Sequence, residues 1–146
     1  PLVSSSMSST FLADGTVMHW HDSSDAHTDT YLVFYRSGTD YRMEGTDSMA
    51  GQNIRFVDVG DGQYVGQVTN GAEYYYILFQ AQRSRYAMFQ PSCSDLTSAD
   101  RRYLGIGTND DASTCYFYSY DQLIDGFNVV ASYGEPPSGY YYLGRN

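Results

Sequence analysis

His19, His21 and His27 are the only histidines of the chain, and they crowd one short stretch. Histidines two residues apart on a strand project from the same face, so the imidazoles of His19 and His21 could share one metal ion. His27, or a carboxylate from Asp22 or Asp25, would add a third ligand and leave zinc an open position, as a metal-dependent enzyme requires. The plainer reading is an amphipathic strand: if Met18 and Trp20 turn inward, both histidines face solvent. A second set of ligands lies in the aspartate-rich turns, with Asp22, Asp25 and Asp29, then Asp58 and Asp61, then Asp110 and Asp111. These are hard oxygen donors of the kind calcium recruits, but none follows the D-x-D-x-D-G spacing, and aspartate is also an ordinary turn residue. The expected cofactor complement is none, with zinc or calcium as the alternatives.

Covalent chemistry has less support. The chain holds no G-x-S-x-G elbow, and a hydrolytic triad would have to draw its base from the histidine stretch. Glu44, Glu73 and Glu135 are too scattered to single out a carboxylate pair. All eight basic residues are arginine, which removes lysine Schiff-base mechanisms. Binding is expected ahead of catalysis.

Tyrosine occurs 16 times and phenylalanine 7 times in the 146 residues. Such rings favour half-buried pleated surfaces, and tyrosine adds a hydroxyl that can orient a ligand. Trp20, Tyr31, Tyr35, Arg36, Tyr74 and Tyr76 are the candidate ligand-binding residues on this reasoning. Arg36, Arg42 and Arg55 stand in strand centres among the aromatics, where a buried guanidinium would need a carboxylate from the protein or from a ligand.

The elements that must position these residues are strands. Asp14-Gly15, Ser37-Gly38, Gly60-Asp61-Gly62 and Asn70-Gly71 punctuate the first ninety residues at hairpin spacing. They separate Thr16–His21, Thr30–Arg36, Asp40–Glu44, Asn53–Val59, Gln63–Thr69 and Ala72–Gln82, with a seventh strand before Gln90. Around Tyr31–Tyr35 and Tyr74–Phe79 both strand faces are apolar or aromatic, as expected where a barrel wall also carries a covering helix. Beyond Pro91, Ser94–Arg102 reads as a helical turn and Cys115–Tyr118 as a short strand. Ser119 and Gln122 form a capping box that opens a helix over about 119–132, and Tyr140–Leu143 reads as a final edge strand. The fold class is therefore all-β, mainly antiparallel: an up-and-down meander closing into a barrel with one C-terminal helix. Residues 1–9 are expected to form a flexible tail and 10–146 one domain.

Net charge is −9, from 17 acidic and 8 basic residues, so nucleic acid is repelled and excluded as a partner. No apolar run approaches the roughly 18 residues that span a membrane. Cys93 and Cys115 make an even pair in an acidic, lysine-free chain, and a disulfide between them would close a loop worth about 3 kcal/mol. That pairing implies a secreted or periplasmic location, and the serine-rich start also suits a lipid anchor upstream of residue 1.

About eight meandering strands with Trp20 on the first, then a helix, a short terminal strand and a late disulfide resemble the lipocalin-like (calycin) barrels. The family's Gly-x-Trp is matched here by Met18-His19-Trp20, which keeps the tryptophan and lacks the glycine. The resemblance implies a carrier holding a small hydrophobic or amphipathic ligand inside an aromatic-lined barrel. The charge supports an alternative, an acidic protein-binding module such as an inhibitor of a basic enzyme.

Overall fold

The computed structural model describes residues 11–71, 73–90, 96–104, 120–134 and 136–144. Among these residues eight strands follow the turn signals closely: β1 Thr16–His21, β2 His27–Ser37, β3 Asp40–Gly45, β4 Asn53–Gly60, β5 Gln63–Asn70, β6 Glu73–Ala81, β7 Arg85–Phe89 and β8 Gly139–Leu143. Each pairs antiparallel with its neighbour, and β8 returns to β1, so the sheet is a closed barrel in sequence order. β8 is thus not the edge strand its position in the chain suggested: it is hydrogen-bonded on both sides, to β7 and to β1, and closure removes every edge.

The described residues divide into two compact units. One holds all eight strands; the other lies within Gln90–Pro136 and holds helices α1, Ser98–Tyr103, and α2, Tyr120–Ser132. In α1 the hydroxyl of Thr97 caps the helix by accepting from Asp100 N at 3.1 Å, and Arg101 and Arg102 occupy the last turn, where the helix dipole favours cations. Tyr133, just past α2, donates its hydroxyl to the Asp100 carboxylate. The helix expected over 119–132 is therefore present. Cys93 and Cys115 lie outside the described residues, as do the Cys115–Tyr118 strand, Ser119 of the capping box and the 1–9 tail. No helix among the described residues is long and apolar enough to cross a membrane.

Strand alternation fills the barrel with large side chains. Met18, Leu32, Phe34, Tyr41, Met43, Ile54, Phe56, Ile77, Phe79 and Tyr141 are almost completely buried in one cluster. The rings of Phe34, Tyr41, Phe56, Phe79 and Tyr141 follow one another at centroid distances of 5.4 to 6.3 Å, mostly edge-on or tilted. Gly66 makes space for this: a Cβ there would stand 2.7 Å from Ile54 Cδ1. The sequence left two candidate inward faces on β2 and β6, and the structure turns in Leu32 and Phe34, and Tyr75, Ile77 and Phe79.

Both ends of the interior are capped by the chain itself. Ahead of β1, Phe11 stacks on Tyr64 at 3.9 Å and meets Phe56 edge-on, while the Tyr41 hydroxyl donates to Leu12 O at 2.7 Å and accepts from Leu12 N at 3.0 Å. The β3–β4 connection brings in Met49, Ala50 and the buried Asp47, whose carboxylate accepts from Tyr141 Oη at 2.8 Å and Met49 N at 3.0 Å. Burial, then the nearby Asp47 charge, pushes the Tyr141 phenol well above its ordinary pKa, so it is a neutral donor.

Candidate functional site

The outer faces of four adjacent strands carry two cross-strand rows. The first runs Tyr31 on β2, His19 on β1, Tyr142 on β8 and Arg85 on β7; the second runs His27, His21, Tyr140 and Ala87. These positions alternate with the inward Met18, Trp20 and Tyr141, which is why they face out.

Within the rows the side chains hold one another. The Tyr142 hydroxyl donates to Asp25 at 2.8 Å, and the ring of Tyr142 lies 5.5 Å from that of His19 and 4.2 Å from that of His21. Arg85 lies 3.8 Å above the ring of Tyr140 and donates through Nη1 to Asp25 Oδ2 at 2.9 Å and to Tyr142 Oη at 3.0 Å. Its Nε reaches Gln82 Oε1 at 2.6 Å. The hydrogen bond from Tyr142, with the charge of Arg85 and the hydrogen bond with His21, holds the Asp25 carboxyl below the usual carboxylate range; the same hydroxyl, with Asp25, raises Arg85.

The three histidines are brought together. Their ring centroids stand 5.3 Å apart for His19 and His21, 5.7 Å for His21 and His27, and 6.3 Å for His19 and His27. His19 Nδ1 meets Gly144 O at 2.6 Å, and His21 Nδ1 meets Asp25 O at 3.0 Å and its Oδ1 at 3.1 Å. In sequence His27 stood outside any strand; in the structure β2 begins at His27, which pairs with His21 across an irregular register.

No family model, curated protein or solved structure matches this chain. The assignment of roles rests on its own geometry.

Residues expected to line one pocket fall on both sides of the barrel wall. Trp20 faces inward, its ring 4.7 Å from that of Tyr141 and its edge over Gly139, where a Cβ would come within 2.2 Å of the indole. Tyr31 and Tyr35 face outward beside the interior Leu32 and Phe34, and Tyr76 alternates with the inward Tyr75 and Ile77. Tyr74 lies on β6 opposite Thr69. Arg36, at the exposed end of β2, is tied by its backbone N to Asp14 Oδ1 at 2.8 Å. Arg42 and Arg55 are not buried: they alternate outward from Tyr41, Met43, Ile54 and Phe56 and pair with Glu44 at 3.0 Å and Asp40 at 2.7 Å. The expected calcium ligands Asp22 and Asp58 serve turns instead, Asp22 accepting from Ser24 and Ala26, and Asp58 from Gly60 N at 2.8 Å. Asp110 and Asp111 lie outside the described residues.

Sequence reasoning missed Arg85, Tyr140 and Tyr142. Alternation in Tyr140-Tyr141-Tyr142 signals opposite faces, yet nothing local says which distant strand pairs with them.

Proposed function

We propose that this chain is an acidic binding module that engages a basic protein through the outer face of β2, β1, β8 and β7. The observation that carries the reading is the pair of cross-strand rows, Tyr31–His19–Tyr142–Arg85 and His27–His21–Tyr140, the second ending on the buried Ala87. Tyrosine and arginine dominate binding hot spots, and here stacking and hydrogen bonds fix them before any partner arrives, which lowers the ordering cost of association. The rows carry only Arg85 and its partner Asp25, so the net charge of −9 lies on the rest of the chain, from where it steers cationic proteins towards the module and opposes acidic ones. An inhibitor of a basic enzyme is one form this takes. The cysteine pair favours a secreted or periplasmic setting, where such partners are met.

Calorimetric titration with cationic enzymes at low and high salt tests the reading. Binding that weakens steeply with salt, and about tenfold or more in Tyr142→Ala, is expected. Salt-independent binding, or no loss in Tyr142→Ala, rejects it.

A lipocalin-like use of the barrel is the second reading, favoured by the incomplete burial of Trp20 beside Tyr141. An apolar probe that quenches Trp20 in the folded protein, with no response to cationic proteins, would move the assignment to a carrier of a small amphipathic ligand.

A further inference from the structure

We propose that His19, His21 and His27 form a binding site for a zinc-type divalent transition-metal ion on the outer wall of the barrel. The placement of donors is the first argument. His19 and His21 stand two apart on β1 and project from one face, and His27 is the cross-strand partner of His21 on β2. Three imidazoles arranged tetrahedrally at Zn–N distances of about 2.0–2.1 Å have ring centroids about 5 Å apart. The observed separations of 5.3, 5.7 and 6.3 Å approach that spacing.

Independently of spacing, the position of the ring protons suits a metal. The partners of His19 Nδ1 and His21 Nδ1 are a backbone carbonyl and the carbonyl and carboxylate of Asp25. These oxygens only accept, so each Nδ1 is the N–H donor, and the neutral ring keeps its lone pair on Nε2. Metal-ligating histidines are held this way, the outer hydrogen bond fixing tautomer and ring orientation. Tyr142 packs against both rings, and its hydroxyl with Arg85 anchors the Asp25 carboxylate that orients His21.

The three rings do not yet point at one centre: among the described residues no group of three His, Cys, Asp or Glu is set to hold a metal ion. Binding therefore turns one ring, and His27 is the one able to turn. It is exposed, and no hydrogen bond among the described residues holds its side chain. The site is two preset ligands and one closing ligand, with a fourth position left to water. Three neutral nitrogens favour zinc, copper or nickel over calcium or magnesium.

Cobalt(II) titration, followed by zinc displacement and X-ray absorption on the zinc form, tests the proposal without reference to any protein partner. One cobalt per chain with the strong visible bands of four-coordination is expected, together with a zinc shell of nitrogen and oxygen near 2.0–2.1 Å. His27→Ala, at an exposed position, should lose the bands and keep its circular dichroism. Absence of stoichiometric binding overturns the proposal, as does binding unchanged in His27→Ala or a sulfur scatterer near 2.3 Å, which would place the metal on the cysteines.

Discussion

The barrel's interior and its outer histidine–tyrosine face are built from similar rings, yet they are held by opposite means. Inside, Phe34, Tyr41, Phe56, Phe79 and Tyr141 are fixed by exclusion of water and by contact with one another. Outside, Tyr140, Tyr142 and His21 are fixed by directed interactions that converge on Asp25 and Arg85, most of them in reach of solvent. The same residue type thus stabilises by burial on one side of the wall and by directed contacts on the other. A buried ring stabilises through area removed from water, whereas a half-buried ring held by hydrogen bonds in reach of solvent contributes less to folding.

The sharpest way to break this contrast is to empty the interior. Phe56→Ala should cost about 3–5 kcal/mol in chemical denaturation, because four aromatic neighbours cannot collapse into the space. Next in size is Gly139→Leu, which drives a side chain into the indole of Trp20. A loss of about 1–3 kcal/mol is expected, with a red shift of the single tryptophan's emission, and unchanged emission would mean that the indole does not rest there. Tyr141→Phe removes a buried donor from Asp47 and should cost about 1–3 kcal/mol.

The same hydrogen bond makes a pH prediction. Because the folded-state pKa of Tyr141 lies above its unfolded value of about 10, its contribution is fully present below pH 10 and is lost as pH rises through the folded value. Stability should therefore be insensitive to this group at neutral pH and fall in strong alkali, and the Tyr141→Phe variant should lose less there. Smallest is Tyr142→Ala, expected to shift stability by no more than about 0.5–1 kcal/mol while weakening the proposed partner binding about tenfold or more. A loss of several kcal/mol would merge the two faces into one structural role.

Much of the barrel was legible. Ser37-Gly38, Gly60-Asp61-Gly62 and Asn70-Gly71 mark hairpins by local backbone chemistry, Asp14-Gly15 opens β1, and the strands fall within a few residues of their expected limits. Which face of β6 turns inward was not legible, because Tyr74-Tyr75-Tyr76 gives alternation no contrast to work with. His27 reads as loop beside Asp25 and Asp29, and only pairing with β1 makes it strand. The arginines misled for a related reason: Arg42 and Arg55 lie between large apolar or aromatic neighbours in sequence but on the opposite side of the sheet. Nearness along the chain is not nearness across a pleat.

The closure of β8 on β1 has a consequence for how the molecule assembles. His19 and Gly144, joined by a hydrogen bond, are 125 positions apart in sequence. Until β8 emerges from the ribosome, β1 and β7 both present unpaired edges, and the hairpins between them can form only an open sheet. Closing the ring is thus a late, non-local and slow event, and it completes the outer rows at the same moment, since Tyr140 and Tyr142 arrive with the closing strand. A chain stalled short of β8 would expose an aggregation-prone edge and leave the outer rows unassembled.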